Sequence, residues 1–163
     1  HIFNDLLFPV GKLYEDIRIM HRLFQKVSAV CVIPQYFYYY YVRSNSISNV
    51  VKLNNRLEWF YALGDRLNDI KVVKHDYVGK ISSQMALVIS LTMVQNSFSR
   101  EEMLNRESDL QEIRNFLRKK STKKYVKQYV SKKDYVFFLL ARRFGFSSNK
   151  MYQFFWRNHD RKA

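Results

Sequence analysis

Two adjacent acidic residues, Glu15 and Asp16, are the first side chains in the sequence that could do chemistry. They follow a segment that contains Gly11, and they open a predicted helix over residues 14–27, in which apolar residues recur at helical spacing. A carboxylate at a loop–helix junction can project into a cleft and act as a general base. A plainer interpretation is that the helix macrodipole stabilises acids in a first turn, by roughly 0.3–1 kcal/mol. Spacing alone favours the plainer interpretation.

A second candidate follows about twenty-five residues later, where four consecutive tyrosines at 38–41 lead into Arg43 and a polar segment that contains Ser46. A guanidinium can hold a phosphate in a bidentate fork, and tyrosine rings can stack on a sugar or a base. The alternative is a strand half-buried against helices, with Arg43 in solvent. The residues taken singly favour that alternative.

The order of these features resembles bacterial family 2 glycosyltransferases, in particular those that build capsule, O-antigen and exopolysaccharide. The order runs from Phe-Pro-Val-Gly-Lys-Leu-Tyr-Glu-Asp at 8–16, through a helix and the apolar stretch 30–34, to Arg-Ser-Asn-Ser-Ile-Ser at 43–48. Each motif alone is weak, but the two in this order are a fairly specific signal. The resemblance covers residues 1–50, and the later helices share only the general character of the family's variable tail.

The resemblance implies a GT-A fold, in which an N-terminal α/β half binds the nucleotide sugar, usually through an Asp-rich motif and a divalent metal (Mg²⁺ or Mn²⁺). On the matching positions, Asp16 would deprotonate the acceptor hydroxyl and Glu15 would help to position the acceptor. Arg43 and the Ser46 loop would lie near the donor diphosphate. The implied reaction is inverting transfer of a sugar from a nucleotide-sugar donor to a glycan or lipid-linked acceptor, in cell-surface polysaccharide synthesis.

The family's nucleotide-binding strands and metal motif are not in this sequence, which begins at His1. We therefore expect a piece of a longer enzyme that is inactive alone, with the metal ligands mostly outside it. The histidines lack metal-ligand spacing, so no metal site is predicted within the chain. The Gln-x-x-Arg-Trp motif of processive family members is also missing, which favours transfer of a single sugar.

A basic segment over 118–133 is the third candidate. It carries eight lysines and arginines and no acidic residue. The predicted membrane-surface residues are Lys119, Lys120, Lys123, Lys124 and Lys127. The favoured interpretation is a solvated helix face. The sharper one is docking of a basic amphipathic helix on anionic lipid, which would place a cytoplasmic enzyme at the inner membrane face. Nucleic acid is not an expected partner, because no nucleic-acid-binding module accompanies the charge.

Composition limits the remaining choices. The chain has 163 residues, 47% apolar residues, four glycines, two prolines and a net charge of +14, which together indicate a folded domain with anionic partners. Cys31 is the single cysteine, so no internal disulfide can form; its apolar neighbours predict a buried, inert thiol. Residues 85–94 are too short an apolar run to cross a membrane and predict a buried helix.

The predicted fold class is α+β and mainly helical: a helix and two short strands (29–33 and 36–43) that complete a GT-A domain, followed by a helical region. The predicted division places the end of the catalytic domain at 1–50 and the helical region at 51–163. Capping signals predict helix starts at Ser99, with a helix through Leu117, and at Ser131; Gly145 predicts a helix end. The main rival function is a non-enzymatic basic helical domain that binds nucleic acid or anionic membrane.

Overall fold

The computed structural model describes residues 5–39, 41, 52–70 and 75–150. Within these ranges the chain is mainly helical, as the sequence predicts. The α-helices are α1 (Glu15–Lys26), α2 (Leu53–Ile70), α3 (His75–Gln95), α4 (Arg100–Leu104), α5 (Glu107–Arg118), α6 (Lys120–Tyr129) and α7 (Lys132–Phe144), and a short 3₁₀ turn covers Gly145–Ser147.

Helix α3 lies at the centre of the bundle and packs against α2, α6 and α7. Its residues Ile89, Met93 and Val94 are fully buried, so the prediction of a buried helix over 85–94 is confirmed. By length and composition the window Tyr77–Gln95 could cross a membrane, but 61% of that window is buried inside the protein. Helix α3 therefore has the features of a core helix, and its apolar character follows from that position.

Buried hydroxyl groups on α3 satisfy their hydrogen bonds within the helix. The Ser83, Ser90 and Thr92 hydroxyls each donate to the backbone carbonyl four residues earlier, at 2.6–2.8 Å. The segment after α7 caps the carboxyl end of α3. The Ser148 hydroxyl donates to the carbonyl of residue 93 and the Asn149 side-chain amide donates to the carbonyl of residue 94, each at 3.2 Å. These bonds satisfy terminal carbonyls that the helix itself leaves without a partner.

The predicted helix starts and the predicted stop are confirmed. Ser99 and Glu102 form a reciprocal capping box at the start of α4. The Ser131 hydroxyl accepts from the Asp134 backbone N–H at the start of α7. Helix α7 ends at Gly145, whose φ of 57° lies in the left-handed region that glycine adopts without steric cost.

The predicted continuous helix from Ser99 through Leu117 is wrong, because α4 and α5 are separate. Arg106 leaves the helical conformation with a φ of −128°, and α5 starts directly after it with an acidic first turn. The Arg106 guanidinium donates to Asp109 in that turn at 3.2 Å. The acidic first turn of α5 favours a new helix start at this point. The apolar periodicity of the sequence continues from α4 into α5, so it does not reveal the break.

The two predicted strands are also wrong where the structure describes them. Residues 27–39 and 41 form neither helix nor strand, and Val32 and Tyr36 are 89% and 100% exposed. β-branched and aromatic residues suit a pleated surface, but a strand also needs a neighbour for its N–H and C=O groups. The described residues contain no strand, so none of them supplies such a ladder of hydrogen bonds. Cys31 is exposed rather than buried for the same reason.

Helix α1 packs against α2, so the candidate acidic motif is attached to the helical bundle. Ile19 is the apolar anchor of α1, with 2% of its surface exposed. The predicted boundary near residue 50 lies outside the described residues, and the division into two domains stays a prediction.

Candidate functional site

The backbone before α1 makes two left-handed turns. Gly11 has a φ of 71° and Tyr14 has a φ of 57°, and Tyr14 is the only non-glycine residue with positive φ in the described part of the chain. A left-handed conformation costs a non-glycine residue free energy, so the surrounding contacts must hold Tyr14 in place. The consequence is an abrupt start of α1, with Glu15 and Asp16 as its first residues.

Both acidic side chains are exposed to solvent. One Asp16 carboxylate oxygen accepts from the Ile17 backbone N–H at 2.8 Å. Tyr14, the residue before this helix, provides no side-chain cap, and the helix macrodipole favours both negative charges in the first turn. This arrangement leaves carboxylate oxygens accessible to a hydroxyl group of an incoming molecule.

A stack of aromatic and cationic side chains fixes the loop before the acidic pair. The Tyr14 ring stacks on Trp59 of α2 with 5.6 Å between ring centroids, and the Arg56 guanidinium lies 5.6 Å from the Trp59 centroid. Burial raises the pKa of the Tyr14 phenol, and the nearby Arg56 charge opposes that rise. These contacts supply the support that the left-handed Tyr14 needs.

Polar contacts then hold α1 along α2. Arg18 is only 7% exposed, and its guanidinium donates to Glu58 at 3.1 Å and also to Asp65. One turn further on, His21 Nε2 lies 2.7 Å from Asp69 Oδ2. Since Arg18 is two residues from Asp16, this network positions the helix that carries the candidate base.

Asp69 receives two partners from α1. The Arg22 Nε donates to the same Asp69 oxygen as His21, also at 2.7 Å. The hydrogen bond from Arg22 is the main reason why the pKa of Asp69 is lowered; partial burial opposes this effect, and His21 adds to it. The other His21 nitrogen, Nδ1, is buried and has no hydrogen-bond partner among the described residues.

Sequence reasoning missed this network, although a signal for it exists. Arg18 and Arg22 are four residues apart, and Asp65 and Asp69 are also four residues apart. Two helices with matched basic and acidic pairs at this spacing can meet face to face, because residues i and i+4 lie on one side of a helix.

The predicted diphosphate-binding residues, Arg43 and Ser46, lie outside the described residues. Their proximity to Asp16 stays a prediction. The described part of the neighbouring segment carries exposed apolar side chains, among them Val30 and Tyr39. Leu7 and Val10, before the acidic pair, are 80% and 98% exposed.

The described residues do not provide a metal site. No group of three or more His, Cys, Asp or Glu side chains in this part of the chain could hold a metal ion. No chemical step at the acidic pair is therefore derived through a metal.

The basic segment has its lysines in solvent and its apolar face on the protein. Val126 is fully buried. Tyr125 and Tyr129 pack over Gly79 of α3, so closely that a Cβ at Gly79 would lie 2.9 Å and 2.6 Å from their rings. The predicted membrane-surface residues are all exposed, namely Lys119, Lys120, Lys123, Lys124 and Lys127. The apolar face is therefore not available to enter lipid, whereas the positive charges are accessible.

A groove of about 440 Å³ lies between α2, α3, α5 and α6. On its wall, the Tyr61 hydroxyl donates to Asp109 at 2.7 Å and lies 3.2 Å from Glu112. Burial first, and then the Asp109 bond, raise the pKa of Tyr61, so the phenol keeps its proton. Ser82 and Thr122 also line the groove; both are buried, and neither hydroxyl bonds to a described residue.

Comparison of the chain with protein-family models, with curated proteins and with solved structures gave no match.

Proposed function

We propose that the chain is the acceptor-side and C-terminal part of an inverting family 2 glycosyltransferase of cell-surface polysaccharide synthesis. The observation that carries the proposal is the exposed pair Glu15 and Asp16 at the abrupt start of a helix. Its support from sequence is the resemblance of the motifs at 8–16 and 43–48. The substrates proposed are a nucleotide-sugar donor and a glycan or lipid-linked acceptor.

In this proposal an Asp16 oxygen takes the proton of the acceptor hydroxyl. The acceptor oxygen attacks the anomeric carbon from the face opposite the diphosphate, and the bond between that carbon and the diphosphate oxygen breaks with its electron pair. Configuration at the anomeric carbon is thereby inverted. Glu15 accepts a hydrogen bond from the acceptor and orients it, while Arg18 acts only by holding α1 against α2.

The exposed apolar side chains on both sides of the acidic pair agree with this assignment. Leu7 and Val10 precede the pair, and Val32 and Phe37 follow α1, all with more than three quarters of their surface exposed. In the proposal, an α/β nucleotide-binding domain of the same polypeptide covers them. Burial of apolar surface stabilises such an interface by roughly 25 cal/mol per Å².

The experiment is a donor-binding and turnover assay on the full-length enzyme that carries Asp16→Asn. Loss of a general base typically lowers the rate by about 10²–10⁴-fold, and donor affinity should stay close to that of the unchanged enzyme. Asp5→Asn is a matched control, since it removes the same charge from an exposed carboxylate that pairs at 3.6 Å with Lys26, at the other end of α1. Full turnover in the Asp16 variant would exclude this residue as the base.

The chain by itself is expected to bind no nucleotide sugar, because the proposal assigns the nucleotide site and the divalent metal ligands to the preceding half. Calorimetry with uridine and guanosine diphosphate sugars, with and without Mn²⁺, checks this expectation. A micromolar, metal-dependent site in the chain alone would contradict the assignment.

A second candidate function, attachment to an anionic membrane surface, is favoured by the exposed lysines of 119–127. Each cation near an anionic surface contributes about 1 kcal/mol. Because the apolar face of α6 is packed on α3, only the lysine charges can attach the protein to the membrane. Such electrostatic attachment is weakened by salt. We expect co-sedimentation with anionic but not neutral vesicles, release by raised salt, and weaker binding after Lys119, Lys120, Lys123 and Lys124 are replaced with Gln. Equal binding to both vesicle types at low salt would rule this candidate out.

A further inference from the structure

Four arginine side chains surround one pocket at the carboxyl ends of α5 and α7. The pocket has a volume of about 230 Å³ and is lined by Arg114 and Arg118 from α5 and by Arg142 and Arg143 from α7. A second depression beside it shares three of these arginines. No carboxylate side chain lines either space.

Three of the four guanidiniums have no partner among the described residues. Arg142 is different, because its Nη1 donates to the backbone carbonyls of residues 117 and 119 and thereby caps α5. Arg114, Arg118 and Arg143 make no hydrogen bond or ion pair with any residue in the described ranges, and all three are exposed. Their donors are therefore available to a ligand.

Helix dipoles explain only part of this arrangement. The helix macrodipole stabilises a cation near the carboxyl end of a helix. This effect accounts for one basic residue at the end of α5 and one at the end of α7. It does not account for four guanidiniums around one space, since like charges repel one another. Gly145 also lines the pocket, and Arg114 lies close to it: a Cβ at Gly145 would be 3.6 Å from the Arg114 Nε, an ordinary van der Waals distance.

We propose that this arginine pocket binds a phosphate group. A guanidinium presents N–H donors in a planar fork that matches two phosphate oxygens, and several forks around one anion neutralise its charge. The exposed lysines at 119 and 120 directly follow Arg118 in the sequence, so the phosphate group can belong to a lipid headgroup or to a soluble phosphate compound. The proposal is independent of the transferase assignment, because it uses neither Asp16 nor a nucleotide-binding domain.

The first experiment titrates the chain with inorganic phosphate by calorimetry, with sodium chloride keeping the ionic strength constant. We expect saturable binding that Arg118→Gln with Arg143→Gln weakens by about tenfold or more, because the double variant removes two charge-assisted forks from the phosphate. The control, Lys12→Gln with Lys52→Gln, removes the same charge from exposed lysines that do not line the pocket and should change affinity by less than about twofold. Arg142 stays unchanged because it caps α5.

The second experiment identifies the source of the phosphate with vesicles of matched surface charge that contain either phosphatidic acid or phosphatidylserine. A preference for phosphatidic acid that is lost in the arginine variant, and kept in the lysine control, assigns the site to lipid headgroups. Saturable binding of inorganic phosphate without that preference assigns it to soluble phosphates. Equal losses in the two variants, or neither saturable phosphate binding nor a phosphatidic acid preference, would overturn the proposal. Thermal melts without phosphate verify that the variants fold.

Discussion

Arg18 of α1 reaches across to Glu58 of α2, with 3.1 Å between Nη2 and Oε2, and it does so with almost no exposure to solvent. The same guanidinium also contacts Asp65. This contact joins the helix that begins with the acidic pair to the helical bundle. The candidate base is therefore held by a partly buried ion network rather than by apolar packing alone.

Replacement of Arg18 by Met should loosen α1 while the α2–α7 bundle stays folded. Removal of one member of a fully buried ion pair costs about 3–5 kcal/mol; because Asp65 is 48% exposed, we expect roughly 1–3 kcal/mol here. Arg22→Met is the control, with an expected loss below about 1 kcal/mol, since the Arg22 side chain is half exposed. Hydrogen exchange that shows equal protection of α1 in both variants would contradict this role for Arg18.

Acid should weaken the α1–α2 contact through Asp69. Its pKa is lower in the folded protein than the ordinary value of 3.8, so ionised Asp69 contributes stability that is fully present well above pH 3.8. That contribution declines as the pH falls below this value and is lost below the folded pKa. Asp69→Asn should lower stability at pH 7 and reduce the acid dependence of unfolding. The measurement is the free energy of unfolding of the unchanged protein and of the Asp69→Asn variant between pH 7 and pH 2.5. If both free energies change with pH in the same way, Asp69 makes no such contribution.

The two helical glycines should respond in opposite directions to alanine. At Gly79 the added Cβ would meet the Tyr129 ring at 2.6 Å, and the overpacking should cost roughly 1–3 kcal/mol, more than the ~1 kcal/mol gained in helix propensity. At Gly64 the Cβ would meet only the Met85 Cε at 3.5 Å, so Gly64→Ala should stabilise by up to ~1 kcal/mol. Chemical denaturation measures both changes, and a stabilised Gly79 variant would show that α6 does not pack this closely on α3.

Loss of the Ser131 cap should lower the stability of the whole protein, whereas loss of the Ser99 cap should have only a local effect. Ser131→Ala removes the cap of α7, which buries Phe137 and Phe138, so global stability should fall by about 1 kcal/mol. Ser99→Ala removes the cap of α4, whose five residues are not buried, so the loss should be confined to faster amide exchange at Glu102. If Ser99→Ala lowers the melting temperature more than Ser131→Ala does, this ranking is wrong.

The sequence alone determined the features that depend on local interactions. A capping box, a hydroxyl cap and a left-handed glycine act within four residues, so Ser99, Ser131 and Gly145 marked their helix ends correctly. Apolar periodicity identified α1 and the core helix α3 for the same reason. The acidic pair was likewise placed correctly at the start of a helix.

Tertiary structure decided the features that need a partner distant in sequence. Residues 29–39 have strand-like composition, but the described residues offer no neighbouring strand, so this segment forms no ladder and stays exposed, and Cys31 with it. The amphipathic pattern of α6 fitted either a lipid surface or a protein surface, and the close approach at Gly79 assigned it to the protein. Likewise, the arginines of α5 and α7 are separate basic positions in the sequence; packing alone placed them around one pocket, because contacts between helices depend on the whole fold.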